Sequence, residues 1–254
     1  MKIVTTIENI DNYRNYLLTQ EAVEEFLNKK NYLKIDLPVL SPALIPESYL
    51  EVFETEFKYL DKKRKLYLTP SPEIFLKRIL AYGKTNCFYL GKSFRNSESS
   101  SDLHSPEFTM LEFYKIGINY LDLADELLEM LKFINKKLNN RNKNLNLSRW
   151  EKITVAQAFE KYAQISEKEL FDHQLFIKKA KKKGYQTNGF SYEELWSQIY
   201  SQEIEPYLGK NGYPTLIYDY PKEFAALAKL NSDGKTAQRF EFYIDGVELG
   251  DCYT

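Results

Sequence analysis

Between Phe88 and Tyr114 the chain reads FYLGKSFRN, then SESSSDLHS, then PEFTMLEFY. Two aromatic and apolar segments flank a Ser-rich polar insert, an order that predicts a long antiparallel hairpin with a polar tip. A strand turns alternate side chains to one face, so Phe108, Met110, Glu112 and Tyr114 share a face, with Glu107, Thr109, Leu111 and Phe113 opposite. Glu112 is then a carboxylate among apolar neighbours. Burying it costs free energy unless a cation or donor meets it, which makes it a candidate ligand for a positively charged group. Periodicity alone is equally consistent with Glu112 facing water at a sheet edge, and with Arg95 as a surface residue ending the first arm.

Lys and Arg total 35 against 36 Asp and Glu in 254 residues. A chain so balanced has no global field for a polyanion, and nucleic acid would need a local patch. The run Lys178 to Lys183, broken only by Ala180, reads as a solvated helix end. Cys87 and Cys252 have no CxxC partner, and His104 and His173 have no HExxH spacing, so a Cys or His metal centre is not expected. Two free thiols, the absence of a long apolar run, and an acidic N-terminus unlike a signal peptide fit a soluble cytoplasmic protein.

Apolar spacing predicts a helix over Asn12 to Lys30. YLKIDLPVL, from Tyr32 to Leu40, is extended, with Pro38 marking an edge or an interface. Tyr49 to Tyr59 alternates as a strand, Asp61 to Lys65 is a charged turn, and Leu66 to Leu68 returns. In TPSPE, Ser71 caps a helix with Pro72 first, Glu73 in its opening turn, and an end at Gly83. Further helices are expected over Tyr120 to Leu138, Val155 to Tyr162, Glu167 to Lys182 and Tyr192 to Glu203, and strands over Pro214 to Tyr218 and Arg239 to Ile244, followed by a tight turn at Asp245-Gly246. Strands at the front and the far end, with helices between, indicate an α+β fold with an antiparallel sheet flanked by helices. One domain over 1–254 is expected, with about 140–210 as a helical insertion.

The hairpin, with FRN, His104 and SPEFTMLEFYK, resembles motif 2 of class II aminoacyl-tRNA synthetases of the lysyl branch, and Pro38 in YLKIDLPVLSP resembles their motif 1. LSPALIPESYLEVFETEF, YLTPSPEIFLKRILAYG, EIEPYLGK and QRFEFYIDGVELG extend the likeness over about 13–253, toward the shortened lysyl-synthetase relatives that attach (R)-β-lysine to elongation factor P. The resemblance implies a class II catalytic domain without an anticodon-binding barrel before motif 1. It implies ATP-dependent activation of (R)-β-lysine and transfer to a lysine of elongation factor P, with ATP and Mg2+ as cofactors. A homodimer through the motif 1 region is implied, and anticodon-dependent tRNA binding is not. By similarity Arg95 is catalytic and meets the α-phosphate, His104 contacts the nucleotide, and Phe108 underlies adenine. Glu73, Glu112 and Tyr114 hold the cationic amino acid, and Glu248 approaches ATP through magnesium.

The pattern breaks in three places. Ser97 stands where the family carries an acid that reads adenine, and Glu98 beside it takes that ATP-binding role. Asp251 replaces an amide near the amino-acid pocket, where it is a further substrate-binding candidate, and Cys252 replaces a glycine. The chain stops at Thr254, before motif 3, so that portion is expected to be absent, either because the sequence is part of a longer protein or because the chain is a degenerate homologue. Two other readings stay open: a stand-alone lysyl-tRNA synthetase-like ligase for lysine or another diamino acid, and an inactive dimeric interaction protein.

Overall fold

The computed structural model describes residues 9–44, 51–96, 104–139 and 145–254. Ser97, Glu98 and the rest of the polar insert through 103, and 45–50 of the Pro-containing loop, lie outside the described residues. The chain divides into two compact units, Met1–Gly117 and Ile118–Thr254.

In the first unit, α1 (Ile10–Lys29) starts where the Asn9 side chain accepts from the amides of Asp11 and Asn12, satisfying N–H groups that the helix itself cannot. Its C-terminal half buries Ala22, Val23, Phe26 and Leu27, of which each large side chain contributes about 1.5–3 kcal/mol. The segment around Pro38 is divided rather than continuous: β1 (Leu33–Lys34) pairs in parallel with β5 (Cys87–Phe94), while β2 (Leu40–Ser41) pairs with β4 (Lys62–Leu68). Strand β3 (Glu54–Tyr59) is shorter than its alternation predicted and joins β4 through a two-residue turn at Leu60 and Asp61. The expected charged turn over Asp61 to Lys65 is therefore mostly strand. Helix α2 (Glu73–Gly83) begins one residue later than its sequence suggested. Pro72 holds the cap position, and Ser71 instead accepts from the Glu73 amide at 3.2 Å.

Strand β5 and β6 (Glu107–Tyr114) form the expected antiparallel hairpin, giving the sheet order β1-β5-β6. Its register sets Tyr89 opposite Glu112 and Ser93 opposite Phe108. Leu76 of α2 packs with Cys87 and Tyr89 beneath it, so helix and hairpin share a core.

The second unit opens with α3 (Tyr120–Lys137), started by a reciprocal cap between Asn119 and Asp122. A four-stranded sheet follows in the order β10-β9-β8-β7, built from β7 (Glu151–Thr154), β8 (Thr215–Pro221), β9 (Thr236–Ile244) and β10 (Val247–Tyr253). Strand β7, which the sequence reading did not anticipate, is parallel to β8; the other pairs are antiparallel. Helices α4 (Val155–Ala158), α5 (Glu167–Leu170), α6 (His173–Lys182) and α7 (Tyr192–Ile199) cover it, with a core running from Phe159, Phe176 and Trp196 to Ile217, Tyr220 and Tyr243.

Three helix expectations are corrected here. The helix expected over Glu167 to Lys182 is two, because the Asp172 carboxylate accepts from the amides of Gln174 and Leu175 and starts a new one. Helices α4 and α7 each run into a wider π turn, Phe159–Ala163 and Tyr200–Ile204. The lysine run is not simply solvated, since Lys179 pairs with Glu169 at 3.3 Å and Lys183 with Glu203 at 2.9 Å.

The turn between β9 and β10 is the expected tight one. Asp245 and Gly246 have φ of 54° and 79°, the left-handed pair that a two-residue hairpin needs. Their amides donate to the carbonyls of Gly209 and Leu208.

Candidate active site

On β6 the even residues share a face, and the side-chain bonds follow that geometry. The Tyr114 hydroxyl donates to one oxygen of Glu112 at 2.6 Å, and Ser71 donates to the other at 3.3 Å. Glu112 is therefore not a water-facing edge residue, although β6 is the last strand of its described sheet. Burial pushes its carboxyl up to about 7; the charge of Glu73 acts in the same direction, and the two hydroxyls and Lys77 oppose. A carboxyl poised there meets an incoming ammonium at small cost, because the cation restores its charge.

Glu73 stands in the first turn of α2, as expected, and forms a salt bridge with Lys77 one turn on. The Arg95 amide extends the hairpin ladder to Pro106 at 3.0 Å. Its Nε lies 3.5 Å from the Pro70 carbonyl, and its guanidinium sits 5.2 Å from the centre of the Phe108 ring, within cation–π range. Arg95, Phe108, Ser71, Glu73, Glu112 and Tyr114 thus converge where the hairpin meets the start of α2. His104 is exposed and lies three residues before β6; Glu98 lies outside the described residues.

Glu248 and Asp251 belong to the second unit. They are three residues apart, a spacing that turns side chains to opposite faces in a regular strand. Here Glu248 pairs with Tyr243, Gly250 with Phe242 and Asp251 with Glu241, so Leu249 is an extra residue and both acids share the face of Glu241. Arg239 bonds Glu241 at 2.9 Å and reaches Asp251 at 3.6 Å. Glu241 also accepts from Tyr243 at 2.8 Å and Tyr200 at 3.4 Å, and Tyr200 meets Tyr220 at 2.9 Å. Crowding by protein and then the charges of Glu241, Asp251 and Glu205 push the Glu248 carboxyl upward, with Arg239 opposing.

Sequence reasoning missed Ser71 as a donor to Glu112, and missed Arg239 and Glu241 altogether. Their signal was present in QRFEFY, where two charged residues alternate with buried phenylalanine on an otherwise apolar strand. Among the described residues no group of three His, Cys, Asp or Glu is placed to hold a metal ion. Two clefts, of about 420 and 610 Å³, lie elsewhere in the second unit, around Glu151 and Lys161 and around Lys168 and Lys235.

The hairpin carries Arg95 over Phe108, and the start of α2 meets its half-buried acid. Residues 11–254 match the family described as tRNA synthetases class II (D, K and N), and the chain belongs to that class II family. Among curated proteins it is similar to an Elongation factor P--(R)-beta-lysine ligase of Vibrio cholerae, with 34% identity over 242 residues, 91% of this chain and 69% of that protein. The protein of the same name from Buchnera aphidicola is 32% identical over 237 residues, with the same coverage. That from Hamiltonella defensa is 31% identical over 240 residues, 92% of this chain and 70% of the relative.

Proposed function

We propose that the chain is an ATP-dependent ligase that activates (R)-β-lysine as an aminoacyl-adenylate and passes it to a lysine side chain of elongation factor P. The observation that carries this reading is Glu112, a half-buried carboxyl held by two hydroxyls beside Glu73, on the face that also bears Phe108. Such a group recognises an ammonium, and a diamino acid has one to spare after its carboxylate is spent in the reaction. The likeness to the three ligases supports the choice of amino acid and of acceptor.

In this reading a carboxylate oxygen of the amino acid attacks the α-phosphorus and pyrophosphate leaves. The acceptor amine, having lost its proton, then attacks the carbonyl and AMP leaves. Arg95 neutralises charge developing at the phosphorus, an electrostatic role in which one donor is worth about 2.7–4 kcal/mol. Phe108 offers a ring face to the base, with His104 and Glu98 as further nucleotide contacts. Glu73, Glu112 and Tyr114 orient the amino acid, and Asp251 is the substrate-binding candidate of the second unit.

Magnesium would be held by Glu248. A carboxylate crowded by like charges suits that ion, which takes one or two carboxylates and completes its shell with water and phosphate. When bound, it neutralises phosphate charge. A cytoplasmic location and a homodimer through the segment around Pro38 belong to the same proposal, as do a single domain and the helical insertion over about 140–210.

The test is ATP consumption dependent on (R)-β-lysine, followed by mass spectrometry of elongation factor P. A mass gain of one β-lysyl group is expected; consumption that no amino acid stimulates would sink the reading. Because the matched family covers D, K and N, a panel including α-lysine, aspartate and asparagine separates this substrate from its neighbours.

A further inference from the structure

Asp251 and Glu241 are directly opposite one another across β9 and β10. Like charges so placed repel, yet only one of them is free to yield. Glu241 is 7% exposed and anchored by the Tyr243 and Tyr200 hydroxyls. Asp251 has about half its side chain in water. Between them stands Arg239, itself fixed by its bond to Glu241, by a bond to the Phe224 carbonyl at 2.9 Å, and by the Tyr220 ring, 5.0 Å from its guanidinium.

We propose that Arg239 is a positioning residue for Asp251, holding that carboxylate in place on β10 against the repulsion of Glu241. The proposal deepens the ligase reading and rests on its assignment of Asp251 to the substrate. The fixed partners of Arg239 are all in the sheet or just beside it, so the guanidinium acts as a stop from which Asp251 is aimed. Removing it leaves Glu241 where it is, because burial and two hydroxyls keep it there, and displaces β10 at Asp251.

Arg239→Gln, Arg239→Lys, Asp251→Asn and the Arg239→Gln/Asp251→Asn pair are to be compared by (R)-β-lysine-dependent ATP–pyrophosphate exchange. Arg239→Gln should raise KM for the amino acid about 10-fold or more, the scale reached when a ligating side chain at a metal site loses its supporting partner, with smaller changes in kcat and in KM for ATP. Arg239→Lys should recover part of the loss. The pair should cost less than the product of the single effects, because the removed charge and its counter-charge act through one contact. Equal behaviour of the Lys and Gln variants, or multiplicative effects in the pair, would overturn the proposal. Hydrogen exchange at Asp251 to Tyr253, followed without substrate, gives an independent decision: faster exchange in Arg239→Gln than in wild type supports it, and unchanged exchange refutes it. Should wild type show no pyrophosphate exchange, the ligase reading fails while the exchange of β10 still decides the role of Arg239.

Discussion

Tyr114 donates its hydroxyl to Glu112 at 2.6 Å from two residues further along the same strand, so the acid and its donor are carried by one rigid element. Strand geometry alone keeps them together, and the pair moves as a unit with the hairpin.

The upward shift of Glu112 to about 7 sets a pH dependence. Below that value the carboxyl is neutral and cannot pair with an ammonium, so KM for a diamino substrate should fall as pH rises from about 6 to about 8, by up to about tenfold per unit below the pKa. Glu112→Gln should flatten the profile. The stability sign is the usual one for a group raised in the folded state: its contribution is complete below its ordinary value of 4.5 and is lost as pH rises through about 7. Urea melts of wild type and Glu112→Gln across that window check it, with the variant losing less.

Tyr114→Phe removes the stronger donor to Glu112. A destabilisation of about 0.5–1.5 kcal/mol is expected from the loss of that hydrogen bond, together with a shift of the KM profile toward higher pH. A profile that stays in place would show that Tyr114 does not tune the acid.

Gly91→Ala should weaken the hairpin. A methyl group there would lie 2.5 Å from the Tyr89 hydroxyl oxygen and 2.6 Å from its ring carbon, and the ring is pinned by a bond to the Lys92 carbonyl at 2.9 Å. Overpacking of this kind costs about 1–3 kcal/mol. In a Tyr89→Val background the same change should cost much less, which denaturant melts of the four proteins can read directly.

Arg95→Ala is expected to lower the rate of adenylate formation by about 10²- to 10³-fold while leaving the unfolding free energy within about 1 kcal/mol of wild type. Single-turnover pyrophosphate release separates that effect from weaker ATP binding.

Tyr243→Phe tests the buried network of the second unit. It deprives one oxygen of Glu241 of its 2.8 Å donor and leaves that oxygen Tyr200 at 3.4 Å, while Arg239 stays on the other, for an expected loss of about 1–3 kcal/mol in chemical denaturation.

The hairpin was legible because alternation with period two needs no tertiary information, and Glu112 stood out as the acid on its apolar face. The break at Asp172 was also readable, since an acid ahead of a helical stretch is a starting signal, but the apolar spacing on either side masked it. Strand β7 was not legible: four residues, Glu151–Thr154, become a strand only because β8 lies alongside. The pairing of Arg239 with Asp251 depends on a register that no local pattern announces. Ser71 was read as a helix cap, whereas its hydroxyl also serves Glu112, forty-one positions away.

Leu249 gives β10 one residue of slack. A chain lacking it would still set Glu248 against Tyr243 and Asp251 against Glu241, in an uninterrupted ladder with a weaker local twist. On strand β9, by contrast, losing Phe242 would turn Arg239 and Glu241 toward the side now occupied by phenylalanine. A one-residue deletion at Leu249 is therefore expected to keep both acids on the face of Glu241, and one at Phe242 to move Arg239 and Glu241 off it.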